Sequence, residues 1–284
     1  MVAVGDSATH PGDLDVAVPA ATRLVLLAAG RPDGTLPSGQ RPDPVPDGRR
    51  PHVLGSLRVT GGPGASVVVD GIVLEGDLVV KPGRLGSLTV SQSTVTGVVQ
   101  VEAGAGGGNG DLAVSVDRAV LGGIACKGAV RSLTVVDAIV DAAGGPAVTA
   151  PGSPLCARGA TVRGTVLVRT LEASDCVLDG TVTATHRQAG CLRFSVVGPG
   201  SRTPRRFRCV DGARHAPAYA STDPGSPVYL ALAATCSAAI RAGGEFEAEM
   251  GVHHDLRRPP REAAAVRALA PYAPVQLEIG TFGS

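Results

Sequence analysis

The chain has 284 residues, enough for one large or two small domains, and 44% of them are hydrophobic, enough for a sizeable core. Aromatic residues make up only 2%, with no Trp, so that core must consist of Val, Leu, Ile and Ala. The formal net charge is only +1, so the chain as a whole is not strongly attracted to polyanions. This argues against nucleic acid or an anionic membrane as partner.

The N-terminal residues 1–14 contain acidic side chains and lack the basic stretch and apolar run of a secretion signal. We interpret them as a flexible N-terminus. The apolar stretch 24–29 is far too short to span a bilayer, so no membrane insertion is expected. The sequence predicts a cytoplasmic protein, or one exported without a leader as part of an assembled particle.

One sequence pattern repeats between residues 54 and 197. A short apolar strand leads to a polar turn residue, small or β-branched residues follow, and a Gly precedes a second short strand, as in SVVVDGIVLEGDLVV (66–80) and SLTVSQSTVTGVVQV (87–101). Apolar and polar residues alternate with period two, as in half-buried strands. No amphipathic helix pattern separates the strands, which argues against a βαβ fold.

This repetition predicts an all-β solenoid: a single-stranded right-handed parallel β-helix over residues 15–197. Stacking the coils about 4.8 Å apart gives each backbone group a partner. The first coils would come from 16–18, 24–27 and 57–59, around a Pro- and Gly-rich loop at 31–51. Glycines at the corners would permit sharp turns with positive φ. These glycines are Gly76, Gly97, Gly123, Gly144, Gly164 and Gly180.

The composition changes after residue 197, and 198–284 are predicted to form a small C-terminal cap. Two helices are expected, at 226–241 and 260–269, followed by a strand at 275–279. A solenoid needs its open ends covered, because exposed strand edges invite aggregation. We therefore expect these residues to cover the end of the last coil.

The polar turn residues of successive coils form the first candidate site. Within this column Asp117, Asp137 and Arg158 would stack, so that the carboxylates could bind Ca²⁺ and the Arg could assist proton abstraction, as in polysaccharide lyases. The alternative is a row of ordinary turn residues neutralised by an Arg. The whole predicted column comprises Asp70, Ser91, Asp117, Asp137, Arg158 and Ser174.

Three of the six cysteines, Cys191, Cys209 and Cys236, lie near or beyond the predicted solenoid end. With His253 or His254 they could form a zinc site, or two of them a disulfide, although no CxxC pair is present. Free buried cysteine is the commoner role and is favoured. The expectation is therefore no cofactor, with Ca²⁺ or Zn²⁺ as the alternatives.

Two charged segments occur in the predicted cap. The acidic and His-rich stretch 245–256 matches no metal motif and is predicted to be a solvated loop. The second segment is a cluster of arginines that could bind an acidic partner, with pairing to the acidic stretch as the alternative. These candidate partner-binding residues are Arg202, Arg205, Arg206 and Arg208.

Two C-terminal phrases, RQAGCLRFSVVGPGSRTPRRFRC (187–209) and EAEMGVHHDLRRPPREAAAVRALAPYAPVQLEIG (247–280), resemble those of an uncharacterised family of bacterial right-handed parallel β-helix proteins. Ala264 and Ala265 depart from that family's pattern. The resemblance implies an association with baseplate proteins of phage-tail-like contractile injection systems, and it carries over no catalytic residue.

Together these observations predict a non-enzymatic structural or assembly protein that contacts other proteins and has no nucleic-acid partner. The alternative hypotheses are a carbohydrate-active enzyme, similar to a polysaccharide lyase or hydrolase, that uses Asp117, Asp137 and Arg158, and a glycan-binding module without catalysis.

Overall fold

The structure, a computed structural model, describes residues 1–29, 48–104 and 108–269. Every pairing between its strands is parallel. The strands are β1 (Val2–Val4), β2 (Thr9–Pro11), β3 (Leu14–Val18), β4 (Arg23–Ala28), β5 (His52–Leu54), β6 (Leu57–Gly61), β7 (Ser66–Asp70), β8 (Val73–Glu75), β9 (Leu78–Val80), β10 (Ser87–Ser91), β11 (Thr94–Val101), β12 (Ala113–Asp117), β13 (Val120–Cys126), β14 (Ser132–Val136), β15 (Ile139–Arg158), β16 (Thr161–Ser174), β17 (Val177–Asp179), β18 (Val182–Ala184), β19 (Cys191–Arg193), β20 (Val196–Val197), β21 (Arg205–Phe207) and β22 (Val210–Asp211).

The strands stack in three columns, and the chain visits columns A, B and C in turn; we call one such passage a coil. Column A contains β1, β4, β7, β10, β12, β14, 155–158 of β15, 171–174 of β16, β19 and β21. Column B contains β2, β5, β8, 94–95 of β11, 120–121 of β13, 139–141 of β15, 161–163 of β16, β17, β20 and β22. Column C contains β3, β6, β9, 99–101 of β11, 124–126 of β13, 148–150 of β15, 166–168 of β16 and β18.

One continuous apolar core lies between the three columns. Because pairing is in register, the inward residues of successive coils lie above one another, and aliphatic side chains pack rung upon rung. In column A one inward stack consists of Val67, Leu88, Val114, Leu133, Leu155 and Leu171. Burying one such side chain stabilises the fold by about 1.5–3 kcal/mol. The main body is thus mostly parallel β-sheet, and its pairing is compatible with the predicted all-β parallel solenoid.

The paired strands extend beyond the predicted limits of 15–197. Residues 1–14 are not a flexible N-terminus throughout, since β1 pairs with β4 and β2 pairs with β5. At the other end β21 and β22 continue columns A and B to Asp211. These strands were missed because each has only two or three residues and gains its hydrogen bonds from the neighbouring coil, which local sequence does not show.

The two ends of the stack differ in chemistry. In the first coil Val2 and Leu14 occupy inward positions and are 49% and 42% exposed. In the last coil Arg206 stands opposite the buried Leu192, and Asp211 stands opposite the buried Val197. Polar residues at inward positions end the apolar core at the C-terminal side, so little apolar surface there requires a cover.

The predicted C-terminal cap instead lies along the outer face of column B, because that face is apolar where a free sheet would be polar. Two apolar clusters join it to residues 213–257, which we call the lateral flank. The outward residues of column B in these clusters are Val120, Ile139, Val177, Val196 and Val210. The flank residues packed against them include Ala218, Tyr219, Tyr229, Leu230, Leu232, Cys236, Ile240, Met250 and Val252.

Hydrogen bonds fix the lateral flank in register with the coils. The Tyr229 hydroxyl donates to Asp141 at 2.5 Å, and the Tyr219 hydroxyl donates to Asp179 at 3.1 Å. The backbone N–H of Val252 donates to the buried Thr161 hydroxyl at 3.0 Å. All three acceptors lie on column B, so the flank follows the sheet.

The helix predicted at 226–241 is present only as α1 (Ala238–Arg241). Leu230 has φ of 50° and is buried with Tyr229 against Ile139, so tertiary packing overrides the local helix pattern. The second predicted helix is present as α2 (Arg258–Leu269). The predicted strand 275–279 and most of the loop 31–51 lie outside the described residues.

The glycines between columns B and C are required by close backbone approach more than by positive φ. A Cβ on Gly180 would overlap the carbonyl oxygen of Gly164, and a Cβ on Gly97 would overlap that of Gly76. Of the predicted corner glycines, only Gly76, Gly144 and Gly164 have positive φ. We call these stacked glycines the glycine column. It contains Gly122 and not the predicted Gly123, since it is Gly122 that lies against the backbone of the preceding coil.

We expect Gly180→Ala to destabilise the protein by about 2 kcal/mol or more, because the methyl group forces two coils apart. Gly128→Ala is the matched control, since its Cβ would find no atom closer than 3.6 Å. Urea unfolding compares the two variants, and equal stabilities would contradict this account of the glycine column.

We expect Tyr229→Phe to destabilise the fold by about 1–3 kcal/mol at neutral pH. Burial alone would raise the pKa of Asp141, but hydrogen bonds from Arg163, Tyr229 and Ala143 outweigh it and lower that pKa below 3.8. A carboxyl group whose pKa is lower in the folded state stabilises the fold when the pH is above its pKa in the unfolded state. This stabilisation is lost as the pH falls through the pKa of the folded state. The loss of stability caused by Tyr229→Phe should therefore be smaller at acidic pH. A loss that does not change with pH would contradict a hydrogen bond from Tyr229 to the ionised Asp141.

Candidate functional site at the corner between columns A and B

Within the predicted column of turn residues only Asp137 is displaced, by one residue. The other five lie in register at the end of column A: Asp70, Ser91, Asp117, Arg158 and Ser174. Asp117 ends its strand and pairs with Val136, which in turn pairs with Arg158. Asp137 follows Val136 and has φ of 47°, so it occupies the corner and not the strand end. The three residues therefore do not form one stack of side chains, because a shift of one residue changes the direction in which a strand side chain points.

A left-handed residue follows column A in successive coils, with φ between 46° and 74°. These residues, which we call the corner column, are Gly71, Gln92, Arg118, Asp137, Gly159, Asp175, Phe194 and Arg208. The next residue points inward and is usually small. Ser93, Cys176 and Ser195 each donate a hydrogen bond to the carbonyl two residues earlier, which satisfies the backbone at the bend.

The lateral flank crosses the corner column and borders a pocket of about 230 Å³, which we call the corner pocket. It contains two of the predicted site residues, Asp137 and Arg158, whereas Asp117 does not line it. The lining residues are Asp137, Arg158, Ser174, Asp175, Arg193, Glu245, Phe246, His254, Asp255 and Arg257.

Asp175 anchors the flank at this pocket. Its buried carboxylate accepts hydrogen bonds from the Glu245 N–H at 2.7 Å and the Ser174 hydroxyl at 2.8 Å. Its backbone carbonyl accepts from the Gly251 N–H, and His254 Nδ1 lies 3.6 Å from the carboxylate. These contacts use the hydrogen-bonding capacity of the Asp175 side chain. Asp175 therefore positions the flank, and a ligand would be bound by other residues of the pocket.

Asp137 is electrostatically unfavourable as a carboxylate. Burial, followed by the nearby charge of Asp255, raises its pKa, and Arg158 opposes this only in part. The Arg158 guanidinium makes no hydrogen bond or ion pair with a described residue. A perturbed carboxyl group beside an uncommitted Arg in a pocket is typical of a functional site.

The aromatic side chain of Phe246 lies at the edge of the corner pocket and is 67% exposed. The guanidinium of Arg257 lies 5.3 Å from the centre of its ring. Both residues have positive φ, 60° and 48°, and such backbone conformations in large side chains concentrate at functional sites.

The four predicted partner-binding arginines all lie at the last coil but point in different directions. Arg202 pairs with Thr183 of column C, while Arg205 lies on the outer face of column A opposite the exposed Cys191. Arg206 donates to the Thr203 hydroxyl at 2.8 Å. Arg208 contacts the rings of Phe194 and Phe207 at 5.8 and 5.7 Å.

None of these four arginines forms an ion pair with a carboxylate in the described part of the chain. The alternative prediction, pairing with the acidic stretch 245–256, is therefore wrong for the described residues. That stretch is also not a solvated loop, because Met250 is buried and His254 contacts Asp175.

The predicted zinc ligands lie in different parts of the fold. Cys191 is exposed on column A, Cys209 packs against the central core, and Cys236 is buried in the flank. His253 lies at the flank, and burial lowers its pKa. All six cysteines are free thiols. Within the described ranges no three His, Cys, Asp or Glu side chains form a group that could hold a metal ion.

Sequence reasoning missed Asp175, Arg193 and Phe246 as site residues, and it considered His254 only as a possible zinc ligand. Asp175 follows Ser174 in the repeat, so its only local sign was that of a turn residue. Phe246 and His254 belong to the acidic stretch, whose position against the coils follows from the apolar outer face of column B. That face was the available signal, since outward strand positions are ordinarily polar.

No family model, curated protein or solved structure matches the chain. In the part of the chain that the structure describes, no helix has both the length and the apolar character to cross a membrane.

We expect Asp137→Asn to stabilise the fold by about 0.5–1 kcal/mol at neutral pH, because it removes an unfavourable carboxylate while Asn tolerates the same φ. Because the pKa of Asp137 is raised in the folded state, folding favours its protonated form. The stability of the protein therefore declines as the pH rises above the pKa of Asp137 in the unfolded state. The gain should therefore vanish near pH 3 in urea unfolding. Asp117→Asn is the control, since it loses the 2.8 Å ion pair with Arg118 and should stabilise at neither pH.

Proposed function

We propose that the protein is a non-enzymatic structural or assembly protein, a rigid single-stranded right-handed parallel β-helix whose last coil binds an acidic surface of a partner protein. The observation that carries the proposal is the set of four arginines without a carboxylate partner among the described residues, beside the 59% exposed Phe207. Arg and aromatic side chains dominate the energetics of protein interfaces.

The aromatic residues beside these arginines are held in a defined arrangement. The rings of Phe194 and Phe207 meet edge to face with centroids 5.8 Å apart, and Arg208 contacts both. Phe207 pairs with Arg193, so the cluster rests on hydrogen-bonded strands. A rigid surface loses little entropy on binding, which suits a permanent contact in an assembly.

The class of partner to test first comes from the resemblance of residues 187–209 and 247–280 to the bacterial β-helix family. It suggests sheath, tube or baseplate proteins of a phage-tail-like particle, met in the cytoplasm or in the assembled particle. The net charge of +1 and the small number of aromatic residues favour a protein over nucleic acid.

We expect the tagged protein to recover such assembly proteins from native lysate, as identified by mass spectrometry. The double variant Arg205→Ala/Arg208→Ala should reduce recovery about tenfold or more, and recovery should fall with added salt. Arg206 is left intact because it is hydrogen-bonded to Thr203.

The matched control for this experiment is Arg84→Ala/Arg131→Ala, which removes two exposed arginines from other coils. Recovery by this control should equal that of the unmodified protein. Equal recovery by both double variants, or recovery of the protein alone, would contradict the proposal.

A further inference from the structure

The corner pocket contains charged groups that the fold does not use. Arg158, Asp137 and Asp255 form no hydrogen bond through their side chains with a described residue, whereas Asp175 is fully engaged by Ser174 and Glu245. Arg193 donates only its Nε to Ser174, at 3.2 Å, so its terminal N–H groups remain available. These groups are held at one place without serving the packing of the flank.

The signs of the charges limit what the pocket can accept. Among the lining residues, the cationic side chains are Arg158, Arg193, Arg257 and, when protonated, His254. The anionic side chains are Asp137, Asp175, Glu245 and Asp255. An isolated anion such as phosphate would meet the carboxylates, and a simple cation would meet the arginines. A matching ligand carries an anionic group at one side and hydrogen-bond donors at the other.

The shape of the pocket limits the ligand further. A volume of about 230 Å³ is below the range of pockets for drug-sized ligands and suits one small ring. Phe246 offers an exposed aromatic face at the edge, against which an apolar ring face packs. The planar fork of Arg158 suits bidentate hydrogen bonding to a carboxylate, and the Asp137 and Asp255 carboxylates accept from hydroxyl groups.

We propose that the corner pocket binds the sugar-acid unit of an acidic polysaccharide. The sugar carboxylate pairs with the Arg158 guanidinium and the free N–H groups of Arg193. The ring hydroxyls donate to Asp137 and Asp255, and one ring face packs on Phe246. This site is separate from the protein contact proposed for Arg205 and Arg208, so each proposal stands or fails alone.

Isothermal titration of the full chain tests this site with trisaccharides of galacturonate, mannuronate and guluronate. At least one should bind with a dissociation constant in the millimolar range or tighter. Arg158→Ala should weaken that binding about tenfold or more, and Arg158→Lys should restore little of it, because an ammonium group lacks the planar fork. Phe246→Ala should weaken binding about fivefold, as expected for loss of one ring contact.

The controls separate a sugar-acid site from general attraction of anions. Arg131→Ala should bind like the unmodified protein, and a neutral trisaccharide and tricarballylate should bind at least about tenfold more weakly than the acidic trisaccharide. Arg158 and Phe246 are exposed, so their variants should remain folded and unfold cooperatively in thermal melts. Failure of all three acidic trisaccharides, full binding by Arg158→Ala, or equal binding of tricarballylate would overturn the proposal.

Discussion

In-register parallel pairing is the constraint on which the whole molecule depends. Each strand takes its hydrogen bonds from the coils before and after it, so equivalent residues of successive coils must lie directly above one another. A side chain is therefore accepted only if it packs on the same position one coil away. This explains why aliphatic residues fill the inward stacks and why glycines remain where two backbones approach too closely for a Cβ.

The same constraint creates the corner between columns A and B. A left-handed residue must follow column A, and the structure accepts Asp, Arg, Gln and Phe there as well as Gly. For residues with a Cβ this conformation costs about 1–2 kcal/mol, but it projects their side chains outward in a row. A row of varied side chains on a rigid corner can carry recognition, and the corner pocket and the Phe194–Arg208 contact both lie on it.

The lateral flank converts part of this row into a pocket. It is held by apolar contacts with column B and by Asp175, whose carboxylate accepts from the Glu245 N–H. Burial at this corner, followed by the nearby charge of Asp255 on the flank, raises the pKa of Asp137, at a cost to stability. Packing energy over the apolar outer face of column B offsets that cost, which allows the pocket to keep uncommitted charges.

The repeated phrase with period-two alternation was sufficient to predict stacked parallel strands and a Val- and Leu-rich core, because both are local patterns. The four arginines of the last coil were also recognisable from sequence, but the different directions in which they point were not. Sequence did not reveal that Asp137 belongs to the corner and Asp117 to the strand end, since a shift of one residue leaves the pattern intact. The physical difference is distance along the chain. A strand is predicted by residues that are adjacent in sequence. The pocket, in contrast, brings Asp137 and Asp175 together with two distant residues, His254 and Asp255. Only the packing of the flank on column B brings those residues together, so the strands followed from the sequence and the site was decided by the tertiary structure.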